Sequence, residues 1–113
     1  MVVNKPSIFI YTNEPDADYL REICAGIEEE GVLYEVHEKE NMELDELAYE
    51  AANESMLGSG IGIRGRRAAM QMRRLLKGQN VFEVNYPSFL QCRNLGANSA
   101  RAIKKMPFKD VFQ

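Results

Sequence analysis

Apolar and polar positions alternate along this chain in blocks that switch between two periods. Ser7-Ile8-Phe9-Ile10-Tyr11 is a β-branched and aromatic run that reads as a buried strand. Thr12-Asn13-Glu14-Pro15-Asp16 follows as a turn and helix-start cluster. Leu20, Ile23, Cys24 and Ile27 then recur at i, i+3, i+4 and i+7, one apolar stripe on a helix that Gly31 is placed to stop. Val32–Val36 reads as a second strand. Asn41 can cap a second helix with the stripe Leu44, Leu47, Ala48 and Ala51, and Glu43, Asp45 and Glu46 suit its positive end. Gly60-Ile61-Gly62-Ile63 is a thin third strand. This β-α-β-α-β order implies a parallel sheet with helices on both faces. Residues 66–77 are good helix formers without a clean stripe. Lys77–Asn80 is a turn and Val81–Val84 a strand. Ser88 followed by Gln91 fits a capping box, opening a helix that runs, with a possible break at Gly96, to about Met106 before Pro107.

The chain has 113 residues, enough for one domain (1–113) with a real core but not two. No apolar run approaches the roughly 18 residues of a membrane span, and the start has no signal-peptide pattern. Cys24 and Cys92 read as reduced thiols in a cytoplasmic protein. The net charge of −3 conceals an asymmetry: residues 1–55 hold 15 acids and three bases, while residues 56–113 hold two acids and 11 bases. Two readings follow: the halves neutralise one another in the fold, or an acidic and a basic face meet different partners.

Chemistry is sparse. Gly60-Ile61-Gly62-Ile63-Arg64-Gly65 matches G-x-G-x-x-G formally, but its glycines fall inside a strand, where they favour close packing. His37 stands alone as a surface residue, so neither a triad nor a zinc site is credible. Glu28-Glu29-Glu30 occupies the last turn of the first helix, the end where acids are unfavourable. Helical geometry points Glu29 away from the apolar stripe, an outward carboxylate suited to a metal or a basic partner, with Glu28 and Glu30 flanking the core edge. Arg64, Arg66, Arg67, Arg73, Arg74 and Lys77 form a basic stretch that suits a protein partner or a solvated patch better than nucleic acid.

Three segments resemble one family. Ile23–Val32 resembles its "LCWGLEEQGVP" segment, Gly60–Ile63 its "GIGL" strand, and Asn94–Lys104 its "TLGANAGQLVK" helix. The family is the small subunit of glycerol/diol dehydratase reactivase, and the resemblance covers most of residues 7–107, thinning between Arg64 and Phe89.

The resemblance implies a three-layer α/β/α sandwich, five-stranded and mostly parallel with an antiparallel fourth strand, like anticodon-binding domains and the dehydratase medium subunit. Ala68–Arg73 is therefore expected to be a strand. The resemblance also implies a non-catalytic subunit of a chaperone-like factor that releases damaged cobalamin from adenosylcobalamin-dependent dehydratase. Its partners would be a large ATPase subunit, commonly two large and two small chains, and the dehydratase large subunit through exchange with the medium subunit. ATP or ADP and magnesium would lie in the complex, with Glu29 reaching the metal and Glu28, Glu30, Arg64, Arg66 and Arg67 binding partners. The expected location is the cytoplasm, in association with a metabolic microcompartment. The family's acids before Leu-Gly-x-Asn are replaced here by Tyr86-Pro87-Ser88-Phe89. The alternative function is an RNA-binding module using residues 64–77.

Overall fold

The alternation of the first strand sets the layers. The computed structural model describes residues 5–112. In β1 (Ile8–Asn13), Ile8 and Ile10 enter a core with Ile61, Ile63, Met70 and Leu95, while Phe9 and Tyr11 point to the other face with Leu47 and Ala51. The remaining elements are α1 (Ala17–Glu29), β2 (Tyr34–Glu38), α2 (Leu44–Glu54), β3 (Ser59–Arg64), β4 (Arg67–Met72), β5 (Phe82–Asn85) and α3 (Phe89–Lys104). The sheet order is β2-β1-β3-β4-β5. β1 pairs in parallel with β2 and β3, and β4 runs antiparallel to both β3 and β5. Helices α1 and α3 cover one face and α2 the other, so the sandwich has three layers.

The start signals divide. Asp16 caps α1, its Oδ1 accepting from the amides of Asp18 and Tyr19 at 3.0 Å. The Ser88 capping box is complete: Ser88 Oγ accepts from the Gln91 amide at 3.1 Å, and Gln91 Oε1 accepts from the Ser88 amide at 2.7 Å. Asn41 is not a cap. It sits in the left-handed region at φ +48°, and α2 begins behind Glu43 with no side-chain cap bond. The second strand starts at Tyr34, two residues later than expected, leaving Val32 and Leu33 in the approach.

The strand expected from resemblance at 68–73 is β4 at Arg67–Met72. Its missing stripe has a simple cause. Ala68 and Met70 face the α1/α3 core, and Ala69 and Gln71 lie buried on the α2 side, so both faces are covered and no period survives. Helix α3 runs through Gly96 without a break.

Glycine sets how closely the layers approach. A Cβ at Gly60 or Gly62 would run into the α2 backbone at Ala51–Ala52 or Ala48, and one at Gly26 would meet the Arg93 carbonyl. Gly96 is held in the same way against the Ile23 carbonyl, so α1 and α3 touch backbone to backbone. Cys24 and Cys92 are both buried free thiols. Among the described residues no helix is long and apolar enough to cross a membrane.

Candidate functional site: the charged end of the α1–α3 pair

Helices α1 and α3 each follow a strand of the same direction and run side by side in register. Glu22 lies beside Arg93, and Glu30 lies beside Arg101 and Lys104. This geometry answers the unfavourable acids at the C-terminal end of α1, because α3 lays its bases against them. Glu30, the C-cap of α1, meets Arg101 Nε at 3.1 Å and Lys104 Nζ at 3.3 Å. Lys104 Nζ also donates to the Glu30 carbonyl at 2.7 Å, satisfying a helix-end acceptor. Only 9% of the Glu30 side chain is exposed. Burial by itself would raise its carboxyl, but the hydrogen bonds from Arg101 and Lys104 outweigh it and hold the group below the usual range.

Its neighbours behave differently. Glu28 accepts from the Tyr34 hydroxyl at 2.7 Å, and that bond, with burial, pushes the phenol up. Glu29 is half-exposed, with Oε1 held by Arg93 Nη1 at 3.1 Å. Arg93 is itself fixed, since Nε and Nη2 both donate to Glu22 Oε2, at 2.9 and 2.6 Å. Glu29 Oε1 is therefore positioned by a guanidinium that a second carboxylate anchors. Among the described residues no group of three or more His, Cys, Asp and Glu side chains is gathered as a metal site. Glu29 thus fits a metal only as one ligand completed by groups from elsewhere.

The basic residues of the sequence lie at the opposite end of the sheet. Arg64, Arg66 and Arg67 sit on the β3–β4 hairpin with Asn13, Glu14, Glu43 and Tyr86 around an open pocket. Arg64 pairs with Glu43 at 2.7 Å, Arg66 with Asp16 at 3.4 Å, and Arg67 donates to Asn85 Oδ1 at 2.8 Å. The 13 residues of α1 separate this end from Glu29 by about 20 Å. Strand β4 then divides the basic stretch itself. Arg73 lies at the strand's far end, donating to the Ser55 carbonyl, so residues 64–77 form no continuous basic stripe for RNA.

His37 lies on β2 beside Glu35 at 3.3 Å, its ring edge-on to Phe9 and Tyr11. The glycines of Gly60–Gly65 lie in β3 and its hairpin, as packing residues rather than a phosphate loop. Sequence reading missed Glu22 and Arg93, which organise Glu29. A signal existed: Arg93, Arg101 and Lys104 stand eight and eleven residues apart, one face of a helix.

Fold and site together define a small mixed-sheet α/β sandwich with charged side chains gathered at both ends of its sheet. The profile of the dehydratase medium subunit family matches residues 5–109, and the chain belongs to that family. Its relatives are small subunits of dehydratase-reactivating factors. It is 32% identical over 92 residues to the diol dehydratase-reactivating factor small subunit of Klebsiella michiganensis, covering 80% of this chain and 74% of that one. It is 28% identical over 106 residues to the propanediol dehydratase-reactivating factor small subunit of Citrobacter freundii, covering 93% and 91%. Among solved structures, a chain of the diol dehydratase-reactivating factor complexed with ADP and Mg2+ superposes with a TM-score of 0.88 at 29% identity, covering 95% of this chain and 100% of that one. A chain of a glycerol dehydratase reactivase gives 0.89 at 25% identity, covering 95% and 99%.

Proposed function

We propose that this chain is the small subunit of an ATP-dependent reactivating factor for adenosylcobalamin-dependent glycerol or diol dehydratase. In this reading it is a single non-catalytic domain. It binds a large ATPase subunit, commonly as two large and two small chains, and exchanges with the dehydratase medium subunit so that damaged cobalamin leaves. Nucleotide and magnesium belong to the large subunit, and Glu29 contributes one carboxylate to that metal across the interface. Glu28 and Glu30 shape the same end, while Arg64, Arg66 and Arg67 serve a partner at the other.

The observation that carries this reading is the near-complete superposition on a chain of a reactivating factor complexed with ADP and Mg2+. A half-exposed Glu29, oriented by Arg93 and Glu22, supports the metal role, because a carboxylate held by second-sphere groups reaches a cation without reorganising.

Calorimetry of the full chain with its cognate large subunit, with and without magnesium, tests both parts. Wild type should associate more tightly with magnesium. Glu29→Gln should lose that gain, an effect of about ten-fold or more. No association would remove the subunit reading, and an unchanged magnesium gain in the variant would remove the metal role.

A further inference from the structure

Several arrangements that oppose the chain's own stability converge on the hairpin end. Register places Arg64 directly opposite Arg67, the last pair of the β3–β4 ladder. Like charges opposite one another weaken a sheet. Glu43 answers Arg64, whereas Arg67 donates Nε to Asn85 Oδ1 at 2.8 Å and reaches the charge of Glu83 only at 3.9 Å, and Arg66, 62% exposed, meets Asp16 only at 3.4 Å. The other oxygen of Asp16 is already engaged as the α1 cap. Five donors on each guanidinium therefore exceed the acceptors that face Arg66 and Arg67.

The backbone adds to this. Three residues lining the pocket lie in the left-handed region: Glu14 at φ +46°, Gly65 at +56° and Tyr86 at +48°. Glycine adopts this freely, whereas Glu14 and Tyr86 hold it at a cost. The Tyr86 amide donates to the Arg66 carbonyl at 2.8 Å, which fixes the residue beside the arginines while leaving it 72% exposed. The pocket opens at the carboxyl ends of β1 and β3, where Asn13 pairs with Arg64 and the chain leaves the two strands in opposite directions. Open α/β sheets bind their ligands at that point.

We infer that this pocket docks a carboxylate-bearing segment of a protein partner, with Arg66 and Arg67 taking its carboxylates and Tyr86 lying against it. This deepens the subunit reading above and rests on it for the existence of a protein partner. Arginine and tyrosine are the side chains that anchor interfaces, and the guanidinium fork matches a carboxylate. A pocket open to solvent suits a chain segment better than an enclosed small molecule. Because it lies the length of α1 from Glu29, both ends can be engaged at once.

The test is a nuclear magnetic resonance titration of the full chain with a hexaglutamate peptide, with inorganic phosphate and with tRNA, at matched ionic strength. The peptide should give saturable shifts at Arg66, Arg67 and Tyr86. Binding should weaken about ten-fold in the double variant Arg66→Glu, Arg67→Glu. Tyr86→Gly should weaken it too while leaving Tm unchanged or higher, because glycine relieves the left-handed φ. Shifts spread over Lys104, Lys105 and Lys109, insensitivity to charge reversal, or equal binding of phosphate or tRNA at the hairpin would each overturn the proposal. Peptide binding without association to a reactivase large subunit would fell the subunit reading alone. Association with partners at wild-type rates in the double variant would fell the docking site alone.

Discussion

The two ends of the sheet differ in how far their charges are enclosed. At the α1–α3 end, Glu30 is enclosed by Arg101 and Lys104, and an acid in the wrong place for its helix becomes a fixed part of the fold. At the hairpin end, Arg66 and Arg67 are exposed and loosely held, one by Asp16 and the other by Asn85 and Glu83. Among the described residues, six of nine ion pairs join an acid before residue 56 to a base after it. Part of the asymmetry between sequence halves is thus resolved inside the molecule. In the proposed reading, partners engage the half-exposed Glu29 at one end and the hairpin arginines at the other.

The strongest way to break this contrast is to separate the helices that make the closed end. Gly26→Ala forces a Cβ into the Arg93 carbonyl and should cost about 3 kcal/mol in urea unfolding. A loss below about 1 kcal/mol would show that the α1–α3 contact yields easily. Next comes a comparison of adjacent acids. Glu30→Ala removes the enclosed carboxylate shared by two cations and should cost about 2 kcal/mol, whereas Glu29→Ala, at an exposed pair, should cost under about 0.5 kcal/mol in the isolated chain. Equal losses would erase the distinction between a structural and an available carboxylate.

Acid sharpens the same distinction. The folded-state carboxyl of Glu30 lies below its unfolded value, so its stabilisation is complete above about pH 4.3 and is lost as pH falls through the folded value. Glu30→Gln should therefore flatten the fall in Tm below that pH, and an unchanged acid slope would contradict the assignment. The smallest effect belongs to the open end: Arg66→Ala should change stability by no more than about 0.5 kcal/mol. A larger loss would make that arginine part of the fold.

The α1 stripe, the helix-start cluster that holds Asp16 and the Ser88 capping box were legible because each is a local rule read over four to eight residues. Strand β4 was not, since burial on both faces leaves Arg67–Met72 looking like a helix, and only resemblance to a family supplied it. Asn41 misled because a good cap residue also tolerates the left-handed turn it in fact occupies. At the site, the outward direction of Glu29 followed from helical angle alone. The enclosure of Glu30 did not, because its partners lie more than 70 residues away on a helix whose packing depends on Gly26 and Gly96. The same distance hid Arg93 from a reading confined to neighbours.

Both thiols of the chain are buried, and burial, with Glu22 and Asp16 nearby, pushes Cys92 up to about 12. Burial raises Cys24 as well. The thiolate is the species that reacts with electrophiles, and burial disfavours it at both positions. Buried and held protonated, the native cysteines should react slowly with maleimides. A Tyr86→Cys substitution would create one reactive handle on an otherwise slow-reacting chain, so that a fluorophore at the hairpin reports on that end alone.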